Sequence, residues 1–342
     1  MGALALTLTA CSDAGGSNGG EDDAEPSTST AGEAPAEMTS VTLTLNFLAG
    51  GPNAGFMVAL ENGYYEEVGL DVTIQEGQGS GSTASLVAQG NSEFGYADGP
   101  SAMAVAAQEG DLVIVAPILQ TNGFSVMSLA ENGLETIQDL EGKSVALQPG
   151  TAQASLFDAV LAANDVDPGA VEIVNIDPSS LVGSLLQGSV DAITAGADSQ
   201  GVQLREQGAD INEIMYRDAG VPTIGLSMIV TNEFAEQNPE LVAGFVAASL
   251  RGWDDVRNDP ERAAEIVAGQ FPEGAVADSI VGQLGVDIEL LCSAGSPGLG
   301  KPAAETWQAT YDLLVEYLDL PTDNPIDFYY TEDFLPEDLP AC

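Results

Sequence analysis

From Val41 onward, apolar and polar positions alternate in a pattern that changes period every few residues. "VTLTLNF" (41–47) alternates with period two and predicts a strand, while 54–62 place Phe56, Met57 and Leu60 on one helical face. "LDVTI" (70–74) reads as the next strand. "LVIVAPIL" and "VEIVNI" are continuous apolar runs, the kind buried on both faces of a mostly parallel sheet. After about residue 232 the chain turns mainly helical, and "PELVAGFVAASLRGWDDV" and "AAETWQATYDLLVEYL" both repeat with a 3.6-residue period. The pattern predicts an α/β protein. An internal echo points to two similar lobes: "LVAQGNSEFGYAD" (86–98) and "LLQGSVDAITAG" (185–196) both run from a helix end through a glycine and an acid into a strand of small residues.

The first residues differ in character. A short apolar run ends in Leu8, Thr9, Ala10 and Cys11, followed by a polar tract from Ser12 to Glu37 rich in Ser, Gly, Glu and Pro. The run is far too short to span a bilayer. It resembles the end of a bacterial lipoprotein signal peptide, with Cys11 as the lipidated residue, although no Lys or Arg precedes it. The expected start therefore lies upstream of Met1, with 12–40 as a flexible acidic linker.

Composition narrows the function. The 342 residues, 44% hydrophobic, suffice for about two domains. They carry 53 acids against 7 basic residues, a formal net charge of −46, and only Lys143 and Lys301 are lysines. Nucleic acid is excluded as a partner, because phosphate neutralisation needs basic clusters, and anionic membrane surfaces are disfavoured for the same reason. Acids spread along the whole chain suit a halophilic surface, since at about 1 M salt the screening length falls to roughly 3 Å. The chain has no histidine. Ser-His-Asp and Cys-His nucleophiles, His-ligated zinc and imidazole acid–base chemistry are thereby removed. No catalytic residue, metal or cofactor is expected.

Five segments, in order, carry a resemblance: "PNAGFMVALENGYYEEVGLDVTIQEGQGSGST", "VAQGNSEFGYAD", "IQDLEGKSVAL", "LLQGSVDA" and "YYTEDFLPE". Residues 41–339 resemble the substrate-binding proteins of ABC importers, in the NitT/TauT group that includes the thiamine-pyrimidine-precursor binders. The resemblance implies a type II periplasmic-binding-protein fold, with lobe 1 at 41–127 plus 229–342, lobe 2 at 128–228, and crossing strands near Phe124 to Leu129 and Thr223 to Thr231. It further implies a monomer that holds a small ligand between its lobes and presents it to a permease with its ATPase, tethered to the membrane through the lipid.

Candidate ligand contacts come from strand ends and helix starts, where open α/β sheets bind. Gly77, Gly79 and Gly81 follow a strand and precede a helix, but G-x-G-x-G lacks both the dinucleotide spacing and the phosphate-loop lysine. They form either a structural turn or a turn whose amides, with Ser80 or Ser82, face the ligand. Asn53, after Pro52, is a helix cap or a cap that also reaches ligand. Strand ends place Phe47, Asp98, Gln120, Gln148 with Thr151, and Asp198 at the cleft; Asp98 and Asp198 are also suited to plain capping. The resemblance favours Asn53, Asp98 and the region of Asp198, where some relatives carry a longer acid.

The arginines at 205, 217, 251, 257 and 262 fall mostly in helical runs, so an anion would find no cationic partner at these positions. With Phe47, Phe56, Tyr96 and Phe124 close in sequence, the expected ligand is a neutral or amine-bearing flat heterocycle, a thiamine-precursor-type aminopyrimidine first among them. Sulfonate, taurine, nitrate or an aromatic acid is the alternative. Fungal relatives that synthesise the thiamine pyrimidine use a histidine and a lysine-bound pyridoxal; this chain has no histidine, and Lys143 sits in a turn. With Cys11 lipidated, Cys292 and Cys342 remain as an even pair for a disulfide that clips the tail back onto the helical region.

Overall fold

The structure, a computed structural model, describes residues 38–149 and 151–342. Cys11 and the tract 12–37 lie outside the described residues, and with them the lipidation reading. Among the described residues, ten strands form two five-stranded mixed sheets. In chain order they are β1 (Thr39–Thr44), β2 (Leu70–Gln75), β3 (Phe94–Asp98), β4 (Val113–Pro117), β5 (Phe124–Leu129), β6 (Ser144–Leu147), β7 (Glu172–Asn175), β8 (Ala192–Gly196), β9 (Ile211–Met215) and β10 (Leu226–Val230).

The first sheet has the order β2-β1-β3-β10-β4 and the second β7-β6-β8-β5-β9. In each, the first three strands run parallel and the fourth is antiparallel to both its neighbours. The two sheets are therefore built alike. The echoed segments 86–98 and 185–196 end in β3 and β8, which hold the same central position in their respective sheets. The chain passes between sheets at 118–123 and 216–225, each sheet receiving as its antiparallel strand the one that adjoins a passage.

Local patterning accounts for most strands. β3, β4 and β8 are buried at every position, as continuous apolar or small-residue runs demand when helices cover both faces. "VEIVNI" departs from that expectation: β7 pairs only with β6, lies at the sheet edge and leaves Ile173 41% exposed. An edge strand with one neighbour has a solvated flank, so its apolar run does not imply burial. The strand from "VTLTLNF" covers only Thr39–Thr44, and Phe47 projects from the following loop.

The largest core lies behind the first sheet and draws on the helices Ala54–Glu61, Pro239–Asn258 and Pro260–Gln270. The first of these is buried all round from Ala54 to Ala59, so its apolar residues do not form a single stripe. Its approach to Pro239–Asn258 depends on two glycines. A side chain at Gly252 would fall 2.0 Å from the Gly55 carbonyl, and one at Gly55 would enter the Trp253 ring. The aromatic residues stack beside this crossing, with Phe94 on Phe245 at 3.8 Å between ring centroids and Phe56 edge-on to Tyr96 at 4.8 Å. Burying each such ring is worth about 1.5–3 kcal/mol.

The C-terminal segment is held in three ways. Tyr329 and Thr331 bracket Ile114 with backbone hydrogen bonds of 3.0 Å, covering the free edge of β4. Leu299 donates to the Pro340 carbonyl at 2.9 Å. Cys342 is bonded to Cys292, with Cα atoms 5.8 Å apart. Five of the basic side chains form ion pairs with surface acids: Arg205 with Glu213, Arg217 with Asp218, Arg251 with Glu67, Arg257 with Asp254 and Lys301 with Glu332.

Candidate functional site

β3 and β8, the equivalent central strands, deliver their C-terminal ends to the junction between the sheets. Tyr96 and Asp98 are two residues apart on β3 and so share a face. Asp98 precedes the helix Gly99–Glu109 but its carboxyl makes no capping hydrogen bond, and Oδ1 is buried with no partner. Burial pushes this carboxyl up to about 7, against a weaker opposing pull from the Ser101 backbone. The Tyr96 hydroxyl is likewise buried and unpartnered.

Asp198 follows β8 and is partly buried, its Oδ1 2.6 Å from where a side chain on Gly196 would begin and 4.0 Å from the same point on Gly123. Burial raises its carboxyl to about 6, with bonds from its own backbone and from Ser199 lowering it and Glu213 raising it.

A third acid was not among the sequence candidates. Asp287 lies on the helix Ala277–Leu290, is fully buried, and neither of its oxygens has a hydrogen-bond partner. Burial and then the Asp198 charge raise its carboxyl well above the ordinary range. The Tyr96 hydroxyl is raised in turn by burial and by the charges of Asp287 and Asp198. The signal for Asp287 was present: Ile280, Leu284, Asp287 and Leu290 recur at helical spacing and are all buried, so the acid occupies a core-facing position.

The helix carrying Asp287 touches both halves of the molecule. Gln283 accepts from the Gly51 amide at 2.6 Å on one side, and Gly282 packs on Val202 of the helix Gln200–Glu206 on the other, where a side chain would begin only 3.0 Å from Val202 Cγ1. It also ends beside the chain passage, where the Leu290 carbonyl accepts from the Gln120 amide at 2.7 Å.

The remaining candidates have other neighbours. Asn53 is buried with both amide ends engaged, Oδ1 by the Gly50 amide at 3.1 Å and Nδ2 by Asn46 at 2.8 Å. Gln120 gives its Nε2 to the Gly298 carbonyl at 2.7 Å and accepts at Oε1 from the Ser293 amide at 2.9 Å. Ser80 accepts at Oγ from the Asp98 amide at 3.0 Å, so it positions the Asp98 backbone. Thr151 caps the helix Ala152–Ala163, accepting from Ala154, and donates to the Gln148 carbonyl at 2.9 Å. Phe124 meets Tyr216 edge-on at 6.2 Å, and Phe47 is 54% exposed. Phe56 belongs to the large core. In the glycine turn, a side chain at Gly77 would strike the Leu45 carbonyl at 1.9 Å and Gly79 has φ +129°, so both are required by the turn itself.

The junction thus holds three carboxyl groups and a phenol, and four of their polar atoms, Asp98 Oδ1, both Asp287 oxygens and the Tyr96 hydroxyl, are buried without a hydrogen-bond partner. Such an array accepts hydrogen bonds and favours positive charge. Among the described residues, no group of three or more His, Cys, Asp or Glu is spaced to hold a metal ion. An open depression elsewhere, between the helix Pro239–Asn258 and the C-terminal segment and lined by Val113, Glu236, Glu240 and Phe334, has no buried unsatisfied polar atom in its walls.

Comparison with known proteins gives the same architecture. The chain is similar to the periplasmic aliphatic sulphonate binding protein SsuA of Escherichia coli, with TM-score 0.68, 17% identity, and coverage of 84% of this chain and 96% of that one. It is 24% identical over 282 residues to the formylaminopyrimidine-binding protein of Halalkalibacterium halodurans, covering 81% of this chain and 85% of the relative. It is also 24% identical to the riboflavin-binding protein RibY of Chloroflexus aurantiacus, covering 92% and 91%. Residues 52–263 match the model of the NMT1/THI5-like family, and the chain belongs to that family.

Proposed function

We propose that this protein is the extracytoplasmic solute-binding component of an ABC importer, anchored by lipid on Cys11. The first sheet, with β10, forms one lobe and the second, with β5, the other, so that the bounds 127/128 and 228/229 expected from the sequence move to the passages 118–123 and 216–225, and a monomer captures a small ligand between the lobes for delivery to the permease and its ATPase. The relatives from Halalkalibacterium halodurans and Chloroflexus aurantiacus are named as binding proteins, which supports a binding role, although another relative, from Legionella pneumophila, is named as a 4-amino-5-hydroxymethyl-2-methylpyrimidine phosphate synthase. The chain lacks the histidine that pyrimidine synthesis from a side chain would require.

The ligand is a thiamine-precursor-type aminopyrimidine or a similar heterocycle with N–H donors. The observation that carries this reading is the buried, unpartnered acceptor set of Tyr96, Asp98 and Asp287 at the junction of the two sheets. Asp198 completes it, Phe124 and Phe47 offer faces for stacking, and Gln148 and Thr151 add further polar contacts to the ligand. Asn53, Ser80 and Gln120 serve by holding the surrounding backbone. A sulfonate or nitrate ion would meet like charge here without a cation to offset it.

Calorimetry with formylaminopyrimidine, taurine, nitrate and riboflavin side by side tests the proposal. Binding of the pyrimidine, weakened about tenfold or more by Asp98→Ala, is the expected result. Tight binding of an anion without response to the pyrimidine overturns the ligand and leaves the transport role standing.

A further inference from the structure

We propose that Asp198 and Asp287, one beyond the end of β8 and one on the helix Ala277–Leu290, form a two-sided receptor for a positively charged nitrogen, so that the bound ligand is an organic cation. This rests on the reading of the cleft as the ligand site and narrows the ligand's charge class.

Asp287 is the strongest single observation. A carboxyl on the core face of a helix, fully buried and with neither oxygen hydrogen-bonded, is among the costliest arrangements a protein can carry. Its neighbours at the same helical spacing are Ile280, Leu284 and Leu290, so packing alone would favour another aliphatic residue there. No basic side chain satisfies it: the five ion pairs tie Arg205, Arg217, Arg251, Arg257 and Lys301 to other acids, Arg262 donates to Asn62, and Lys143 stands near Asp191.

Asp198 is brought to this helix at Gly123, where a side chain would begin 4.0 Å from Asp198 Oδ1 and 3.0 Å from Leu290 Cδ1, three residues on from Asp287, and the charges of Asp198 and Asp287 both raise Tyr96, while Asp198 in turn feels Glu213 and the Ser199 donors. Every charge among these is negative. Among the described residues no group has the ligand spacing of a metal centre, and a flat cation with forked N–H donors, such as an amidinium or a protonated aminopyrimidine, complements carboxylates in sign and can donate to each of them.

The proton balance follows. In the free protein, burial and the Asp198 charge favour the protonated form of Asp287, while Asp198, raised only to about 6, gives up its proton between mildly acidic and neutral pH. A permanently charged ligand converts them to carboxylates, each proton leaving to solvent, so affinity for such a ligand rises with pH.

The test uses three probes of one shape and different charge: benzamidine, benzamide and benzoate. Benzamidine is expected to bind at least about tenfold tighter than benzamide, to bind more tightly at pH 8 than at pH 5, and to release protons, read from the dependence of the calorimetric enthalpy on buffer. Asp198→Asn and Asp287→Asn should each reduce benzamidine affinity by about tenfold or more, while the surface control Asp333→Asn leaves it unchanged and so excludes general attraction to an acidic surface. Circular dichroism melts of both site variants establish that they fold; Asp287→Asn should melt no lower than the native chain at pH 8, because it removes an uncompensated buried charge. Equal or tighter binding of benzamide or benzoate, no effect of Asp287→Asn, or no benzamidine binding at about 10 mM overturns the cation receptor. Lobe closure by taurine or riboflavin in solution scattering, alongside such a failure, would preserve the solute-binding role; absence of closure with every solute tested would count against that role itself.

Discussion

Gly51 and Asp287 are packed so closely that a side chain starting at Gly51 would lie 2.9 Å from Asp287 Oδ2 and 2.6 Å from Gln283 Cβ. The turn 51–53 and the helix Ala277–Leu290 thus meet backbone to side chain, and Gly51 also donates its amide to Gln283. Gly51→Ala should push the helix away, with a loss of about 1–3 kcal/mol in urea unfolding and a weaker ligand complex than stability alone explains. An unchanged unfolding midpoint would show that the helix has room to shift.

Stability should fall as pH rises from about 4 to about 7. Asp98 and Asp198 have native carboxyls raised to about 7 and about 6, so between the ordinary carboxylate range and those values the folded chain holds protons that the unfolded chain has lost. Their stabilising contribution is complete below the unfolded value and is lost as pH passes the folded one. For Asp98 this is on the order of 4 kcal/mol, at about 1.4 kcal/mol per unit. Asp139 and Asp191, lowered chiefly by bonds from Thr136 and Ser144, act with opposite sign at lower pH. Urea unfolding between pH 4.5 and 8 at fixed high salt should show the decline in the native chain and a shallower one in Asp98→Asn.

Reduction of Cys292–Cys342 should free the C-terminal segment. The bridge spans 50 residues, for which the chain-entropy model gives about 4 kcal/mol. The double variant Cys292→Ser, Cys342→Ser should unfold at lower denaturant, and faster exchange of the Thr331 amide, which pairs with β4, would show where the loss begins. Two thiols titrating in the denatured, unreduced protein would remove the bridge.

Salt should raise the unfolding temperature. With a formal net charge of −46, self-repulsion is the main electrostatic burden on the folded state, and raising salt from about 0.1 to 2 M screens it while strengthening apolar burial. A flat or falling curve over that range would contradict the halophilic reading.

Membrane attachment has a direct check. In the native host, the protein should fractionate with the membrane and Cys11→Ala should be released. Equal distribution of the two forms would exclude a lipid anchor at that residue.

Much of this molecule was determined by the order of its residues alone. The α/β class follows from local periodicity, and the two-lobed plan from the echo of 86–98 at 185–196, which the structure places on the equivalent strands β3 and β8. The absence of histidine and the scarcity of cations are compositional facts that no fold could alter. Other features were settled only by tertiary contacts. Asp287 reads in the sequence as one acid among 53, and becomes distinctive because its helix face is closed off by the turn at Gly51 and stands in the field of Asp198. Asn53 and Gln120 carry amides suited to a ligand, yet Asn46 and the loop around Ser293 and Gly298 occupy them. Apolar "VEIVNI" became an exposed edge because only β6 lies beside it. Periodicity reports which residues share a face, whereas what covers that face depends on segments far away in the chain, and burial, pairing and proton affinity all follow from that cover.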